Sequence, residues 1–158
     1  RYLAIDNLCA WPNLTLLPDG SINATVFGQP SHGQVAGAAE CWNSATGEFW
    51  EKRGIPAPNE PNTNRMNVAC GLAGNGDLVL CSGWTDEKQP QRPKQAAFRD
   101  DILAPWVCRS SDGGRTWTQH KAFVAPDPGW THFIPFGDIK KGGDGALHVS
   151  CYGGEWVD

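Results

Sequence analysis

Two stretches of this 158-residue chain resemble one another at a constant separation of 67 residues, from Trp50 to Trp117. Residues 41–50 read Cys-Trp-Asn-Ser-Ala-Thr-Gly-Glu-Phe-Trp, and 108–117 read Cys-Arg-Ser-Ser-Asp-Gly-Gly-Arg-Thr-Trp. A cysteine, a serine, a glycine and the tryptophan coincide, with Ser44 aligned to Ser111. Self-similarity at a fixed period predicts a fold built from repeated supersecondary units.

A second element recurs along the chain. The pairs Asp19-Gly20, Asn75-Gly76 and Asp144-Gly145 each separate two short strand-like runs. An Asx-Gly pair between such runs is a strong signal for a β-hairpin. Each unit therefore reads as strand, tight turn, strand, long loop, strand, tight turn, strand. This order predicts four antiparallel strands per repeat, which is the blade of a β-propeller.

The stretch 110–117 matches the pattern Ser-x-Asp-x-Gly-x-Thr-Trp at every defined position. It resembles the Asp-box, or BNR repeat, of the sialidase-like β-propeller superfamily, where the motif joins the third and fourth strands of a blade. The resemblance implies an all-β fold of six or seven four-stranded antiparallel blades, of which this chain covers about two and a half. It also implies a structural role for the Asp-box residues Ser110, Asp112, Gly114, Thr116 and Trp117.

The resemblance further implies that residues 1–158 are the N-terminal part of a single propeller domain. Blade one is predicted at about 10–54, blade two at about 64–123 and a partial blade three at about 132–158. The remaining blades would come from sequence beyond this chain. The 19 glycines, 12 prolines and 8 tryptophans are typical of short strands joined by many turns.

Composition excludes several classes of protein. The formal charge of −4 and the lack of a basic patch argue against a nucleic-acid partner. No apolar run approaches the ~18 residues of a membrane span. The six cysteines, at positions 9, 41, 70, 81, 108 and 151, lack C-x-x-C spacing, so we expect buried thiols, with disulfides as the alternative. We expect no metal and no cofactor.

The connections of a four-stranded meander alternate between the two ends of the sheet. The tight turns therefore share one face of the disc, and the longer loops share the other. Long loops on a rigid scaffold commonly carry binding and catalytic residues. We therefore expect the functional site on the long-loop side.

Sugar recognition needs flat aromatic rings, amides for hydroxyl groups and arginine for a carboxylate. The candidate substrate-binding residues are Gln29, Glu60, Asn64, Asn67, Trp84, Trp130 and Tyr152. Each has a structural alternative: a loop tryptophan packs more often than it stacks on a ligand, and the asparagines could bond their own turns.

The candidate catalytic residues are His32, Arg65 and His132. Histidine suits proton transfer because its charge changes near neutral pH. His32 lies in an exposed Pro-Ser-His-Gly segment, where its alternative role is to bond loop carbonyls. Arg65 is either a carboxylate clamp or a brace for Glu60 or Asp127. His132 is followed by Phe-Ile, which would bury it.

The sialidase resemblance implies an exo-glycosidase acting on terminal acidic sugars or uronate-linked glycans. Sialidases use an arginine triad, a tyrosine nucleophile with a glutamate, and an aspartate as acid/base. The chain departs from this pattern because Gly54-Ile-Pro stands where an Arg-Ile-Pro opening would be expected. The tyrosine and the later arginines would come from blades beyond this chain.

A second resemblance rests on Gln-Pro-Ser-His-Gly at 29–33 and Asn-Glu-Pro-Asn-Thr-Asn-Arg-Met-Asn at 59–67. These segments look like parts of propeller enzymes that act on rhamnose linked to glucuronic acid, some of them rhamnosidases relying on one histidine and others lyases. This likeness implies a catalytic His32 and places Arg65 near the uronate. The third hypothesis is a propeller that binds glycans without chemistry.

The partner we expect is an oligosaccharide or polysaccharide. The chain starts at Arg1 with neither methionine nor signal peptide, so we expect processing or truncation to have removed the true beginning of a secreted or periplasmic protein. Asn13-Leu-Thr and Asn23-Ala-Thr match N-glycosylation sequons, which is a weak signal by itself.

Overall fold

The computed structural model describes residues 3–32, 35–85, 102–121 and 132–154. Within these residues the regular secondary structure consists of β-strands alone. The strands are β1 (Cys9–Leu16), β2 (Ile22–Phe27), β3 (Ala39–Ser44), β4 (Glu51–Ala57), β5 (Asn67–Leu72), β6 (Leu78–Thr85), β7 (Ile102–Ser110), β8 (Thr118–His120), β9 (His132–Lys141) and β10 (Leu147–Gly154). The all-β prediction is confirmed. In the described part of the chain, no helix is long and apolar enough to cross a membrane.

The strands form antiparallel meanders. Strands β1 to β4 make one sheet in sequence order, which we call blade one, and β5 to β8 make blade two. The β9–β10 hairpin joins the second sheet because β9 pairs in parallel with β5, at Ala69 with Gly137 and at Cys70 with Asp138. The domain boundaries themselves stay a prediction.

The first strands of the three groups lie side by side. Strand β1 contacts β5 through the Asn13 amide, which donates to the Val68 carbonyl at 3.1 Å. The Thr15 hydroxyl and the Cys70 thiol lie 3.2 Å apart one step further along. With β5 paired to β9, the first strands of the three groups are therefore neighbours.

The three predicted Asx-Gly hairpins are present. Gly20, Gly76 and Gly145 have φ angles of 85°, 89° and 82°, a region that glycine enters without a steric penalty. Each glycine N–H donates to the carbonyl three residues earlier, at 3.0 to 3.1 Å. The turns therefore form from local sequence, and they fix the register of the strands on either side.

The Asp-box turn between β7 and β8 is a closed hydrogen-bond network. The Ser110 hydroxyl donates to the Asp112 carboxylate at 2.8 Å and accepts the Gly114 N–H at 2.9 Å. The same carboxylate accepts the Thr116 N–H at 2.9 Å and the Thr116 hydroxyl at 2.6 Å. These hydrogen bonds hold the pKa of Asp112 far below its ordinary value, and the bond from the Thr116 hydroxyl has the largest effect.

The Asp-box turn also packs onto blade one. Asn23 of β2 and Arg53 of β4 both donate to the Gly113 carbonyl, at 3.1 and 3.2 Å. A Cβ on Gly54 would lie 2.5 Å from the Gly114 carbonyl oxygen, so β4 tolerates only glycine there. The turn thus joins neighbouring blades as well as two strands.

The structure corrects the sequence alignment at one residue. Trp50 and Trp117, which the alignment pairs, are both half-buried, and each indole N–H donates to a glycine carbonyl three residues back, at 3.0 and 2.9 Å. Ser44 is equivalent to Ser110 rather than to Ser111. Each ends its strand opposite the first residue of the preceding strand, and each hydroxyl accepts the N–H of the turn glycine.

The core lies between the sheets. One buried cluster joins blade one to blade two, and its members are Ala39, Ala57, Val68, Cys70, Leu80, Trp106 and Cys108. A second cluster of Ala69, Val79 and Ile139 joins blade two to β9. Burial of this kind is the main favourable term in folding.

The cysteine prediction holds for the side chains that the structure describes. Cys41, Cys70 and Cys108 are buried, and Cys151 is half-buried. Burial raises the pKa of Cys41 to about 12, which keeps its thiol protonated. The side chains of Cys9 and Cys81 are outside the described set.

Candidate functional site

The two ends of the sheets differ in the length of their connections. The tight turns at 17–21, 45–50, 73–77, 111–117 and 142–146 all lie at one end. The connections 28–38 and 58–66 lie at the other end, together with the starts of the first strands. We call this end the long-loop face. The connections of blade two on this face fall largely outside the described residues.

The two described long connections are fastened to each other. Gly37 forms an isolated parallel bridge with Asn64. The Gly37 N–H donates to the Thr63 carbonyl at 3.1 Å, and the Arg65 N–H donates to the Gly37 carbonyl at 2.9 Å. A Cβ on Gly37 would meet the Gln29 and Phe27 side chains at 2.4 and 2.8 Å, so this close approach depends on glycine.

Arg65 is buried, with 1% of its side chain exposed. Its guanidinium lies 3.6 Å from the centre of the Trp106 ring, and Nη2 donates to Glu60 at 3.0 Å. Burial lowers the pKa of Arg65, against the opposing influence of Glu60. For Glu60, burial opposes ionisation, but its backbone hydrogen bond and Arg65 together lower the pKa below its ordinary value.

Lys121 completes this charged group from the end of blade two. Its ammonium lies 4.0 Å from the centre of the Trp106 ring and 3.8 Å from the Glu60 carboxylate. Of the two roles that the sequence left open for Arg65, the contact with Glu60 is therefore present. A ligand carboxylate at Arg65 would have to compete with Glu60, whose side chain is 45% exposed.

A different set of side chains forms a row across the first strands. The His32 and Trp11 ring centres are 4.8 Å apart with the planes at 79°. Trp11 and Phe136 are 5.5 Å apart at 66°, and Phe136 and Tyr152 are 6.4 Å apart at 57°. We call His32, Trp11, Phe136 and Tyr152 the aromatic row. It connects the 28–38 loop with β1, β9 and β10.

The aromatic row is open to solvent. His32 is exposed, and Trp11 and Tyr152 are 40% and 55% exposed. The ring planes meet at steep angles, so the rings do not cover one another as a parallel stack would. Partial burial raises the pKa of the Tyr152 phenol, so the row carries a neutral hydroxyl at one end and an imidazole at the other.

The other predicted polar contacts lie deeper. Gln29 is half-buried, whereas Asn64 and Asn67 are 2% and 4% exposed. The Asn64 side-chain oxygen has no hydrogen-bond partner in the described part of the chain. The Asn64 and Asn67 amides therefore lie beneath the surface of the long-loop face rather than on it.

Three predicted site residues have no described side-chain contacts. Trp84 lies in β6 and His132 begins β9, so both belong to strands. Trp130 lies outside the described residues. The roles assigned to all three stay predictions.

Sequence reasoning missed Trp11, Phe136, Trp106 and Lys121. Trp11 and Phe136 stand in strand-like runs, where an aromatic residue ordinarily indicates core. Their meeting with His32 depends on β1 and β9 lying near each other, which the sequence does not specify.

The two N-glycosylation sequons do not present accessible asparagines. The Asn13 and Asn23 side chains are buried and hydrogen-bonded, so neither offers an accessible acceptor amide.

The charged side chains suggest no metal centre in the part of the chain that the structure describes. No three His, Cys, Asp or Glu residues there are grouped to hold an ion. The functional groups described at the long-loop face are an imidazole, a phenol, a guanidinium and a carboxylate.

None of the protein-family models compared with the chain matches it, and none of the curated proteins does. Solved structures do match. A protein of unknown function from Dyadobacter fermentans aligns at a TM-score of 0.65 and 16% identity, over 89% of this chain and 45% of that one. Trypanosoma rangeli sialidase aligns at a TM-score of 0.66 and 17% identity, over 96% of this chain and 27% of that one.

The fold is that of a sialidase-like β-propeller. A structure of Trypanosoma rangeli sialidase in complex with sialic acid also matches, with a TM-score of 0.66 and 16% identity over 96% of this chain and 27% of that one. At such identities the likeness concerns the fold alone. The chain spans less than half the length of these matched proteins.

Proposed function

We propose that this chain belongs to a carbohydrate-active propeller that binds a glycan on its long-loop face. The activity we propose is that of an exo-glycosidase acting on terminal acidic sugars or uronate-linked glycans. The observation that carries the proposal is the aromatic row, in which an exposed histidine adjoins exposed aromatic rings. The sialidase-like fold supports it, since one matched structure is a sialidase with bound sialic acid.

The chemistry of the row suits a sugar. The C–H face of a pyranose packs on an aromatic ring, and Trp11 and Tyr152 have open ring surface for such a contact. His32 is the group in the row that can transfer a proton near neutral pH. In glycoside cleavage that proton goes to the leaving oxygen, so the scissile bond would lie beside the imidazole, with the sugar on Trp11.

A second candidate is cleavage of a rhamnose–glucuronate bond, by hydrolysis or by elimination, with one histidine. It is favoured by the composition of the row, which holds an imidazole and a phenol but no carboxylate. In this case the uronate would lie toward Arg65, whose carboxylate partner Glu60 is partly exposed. The third candidate, binding without chemistry, requires the rings but not the proton transfer.

The test compares His32→Ala with His120→Ala in the intact protein. His120 is an exposed histidine on β8, the edge strand of blade two, and is the matched control. If His32 transfers the proton, its loss lowers kcat by ~10² to 10⁴, the usual contribution of general acid–base catalysis, with little change in binding. The control keeps wild-type kcat.

The substrates are sialyllactose, a rhamnose–glucuronate oligosaccharide and a neutral galactan oligosaccharide, with circular dichroism to confirm folding. Wild-type kcat in His32→Ala on the best substrate would show that the histidine is structural. Glycan binding by the wild type without turnover of any substrate would favour the binding module. Absence of both binding and turnover would refute the proposed function.

A further inference from the structure

Trp11 has a backbone conformation that its side chain disfavours. Its φ is 47°, in the left-handed region that L-residues with large side chains rarely enter. The register of β1 against β2 is irregular between Cys9 and Asn13, so Trp11 lies within a bulge. Strain of this kind persists only where the surrounding structure enforces it, and it is concentrated at functional sites.

A regular strand would place Trp11 elsewhere. Side chains of a β-strand alternate between faces, so residues 11, 13 and 15 would share one face. Asn13 and Thr15 point into the contact with blade two, where both are buried. Without the bulge, the indole would be directed into this contact. The left-handed residue turns it out instead, toward His32 and Phe136.

The conformation is held from the neighbouring blade. The Asn13 side-chain amide donates to the Trp11 carbonyl and to the Val68 carbonyl, each at 3.1 Å. Asn13 is 8% exposed, and its bond to the Val68 carbonyl is buried, whereas its bond to the Trp11 carbonyl is partly buried. One amide therefore ties the strained peptide of β1 to the first strand of blade two. The strain is thus built into the contact between blades.

We propose that Trp11 is the sugar-ring platform of the site, with its indole held out of the sheet by strain and by Asn13 so that a pyranose ring stacks on it beside His32. This inference rests on the proposed function and adds to it the residue that binds the sugar. The 40% of Trp11 left exposed provides ring surface for such a ligand next to His32 and Phe136.

The Trp11→Gly variant distinguishes a sugar-binding role of Trp11 from a purely structural role. Glycine adopts φ near 47° without penalty, so Trp11→Gly relieves the strain while it deletes the ring. We expect the midpoint of chemical denaturation to rise. We also expect affinity for the best-bound of the three oligosaccharides to fall by at least ~10-fold, as for a tryptophan at the centre of a binding site.

Three further variants complete the experiment. Trp11→Phe keeps a ring and should retain affinity within ~3-fold, whereas Trp11→Leu keeps apolar bulk without a ring and should lose affinity as Trp11→Gly does. Phe49→Ala removes an aromatic ring that is 82% exposed on the tight-turn end, and it should leave affinity unchanged.

Equal affinity of Trp11→Gly and wild type would overturn the inference and leave the proposed function standing. A Trp11→Gly protein that is less stable or does not fold would overturn the role of strain, and wild-type affinity in Trp11→Leu would overturn the platform. If the wild type binds none of the three oligosaccharides, the inference and the proposed function fail together.

Discussion

The turn at 110–117 in blade two and the turn at 44–50 in blade one occupy equivalent places but are built differently. In both, a serine hydroxyl accepts the N–H of a glycine in the left-handed region, and a tryptophan N–H donates to that glycine's carbonyl. The φ angles of Gly47 and Gly114 are 83° and 93°. The shared parts are therefore the serine, the glycine and the tryptophan.

The difference is one residue and one carboxylate. Four steps separate Ser110 from Gly114, but only three separate Ser44 from Gly47. The additional length in blade two accommodates Asp112, whose carboxylate binds both ends of the turn. Blade one has Thr46 in this region, and among the described residues its hydroxyl accepts one hydrogen bond, from the Glu48 N–H at 3.2 Å. A turn can thus keep its place in the fold after losing the network that defines the motif.

The additional residue between Ser110 and Gly114 also explains why the sequence alignment is wrong by one position before the turn. Counting back from the tryptophans pairs Cys41 with Cys108, whereas the strand register pairs Trp42 with Cys108, since these lie opposite Ala24 and Leu80. Cys41 and Cys108 consequently face the same contact from opposite blades: the Cys41 thiol lies against Gly114, and Cys108 belongs to the cluster between blades.

The largest expected difference between the two turns concerns their glycines. A Cβ on Gly114 would lie 2.7 Å from the Cys41 sulfur, whereas one on Gly47 would meet nothing within 4 Å. Gly47→Ala should therefore lower the free energy of unfolding by about 1 kcal/mol, from backbone strain alone. Gly114→Ala adds overpacking and should lower it by about 4 kcal/mol. Equal losses of unfolding free energy in urea denaturation would show that the turn of blade two accommodates the added methyl group as easily as that of blade one.

The tryptophans should differ next. Trp117 packs against the cluster between blades, whereas Trp50 lies beside the exposed Phe49 and Leu3. Trp117→Ala should lower the free energy of unfolding by about 3 kcal/mol, and Trp50→Ala by about 1.5 kcal/mol, because less packing is lost. Thermal and urea unfolding of both variants measures this. A larger loss at Trp50 would contradict the view that blade contacts decide the difference.

The carboxylate gives the smallest difference, and it depends on pH. Asp112→Asn should lower the free energy of unfolding at pH 7 by about 1.5 kcal/mol, and Thr46→Ala by about 0.5 kcal/mol. The pKa of Asp112 is depressed in the folded state, so its contribution is complete above the unfolded value near 3.9 and is lost as pH falls below it. The deficit of Asp112→Asn should therefore shrink below about pH 4, whereas that of Thr46→Ala should not change. A pH-independent deficit at Asp112 would mean that its charge does not stabilise the turn.

Features that depend on neighbouring residues were predictable from the sequence alone. The Asx-Gly pairs predicted the hairpins at Gly20, Gly76 and Gly145, because left-handed glycine in a tight turn is a local requirement. The Asp-box pattern and the repeat predicted antiparallel strands and the separation of turns from loops. The alignment failed by one residue at Ser44 because the repeat alone did not show that one turn is shorter.

The tertiary structure decided which side chains meet. Trp11, His32, Phe136 and Tyr152 come from segments far apart in sequence, and they form a row only because the first strands lie side by side. Arg65 is held between Trp106 and Glu60 for the same reason. Local chemistry fixes turns and strand faces, whereas the orientation of a side chain such as Trp11 depends on bonds such as Asn13 to Val68, which exist only after two blades have packed.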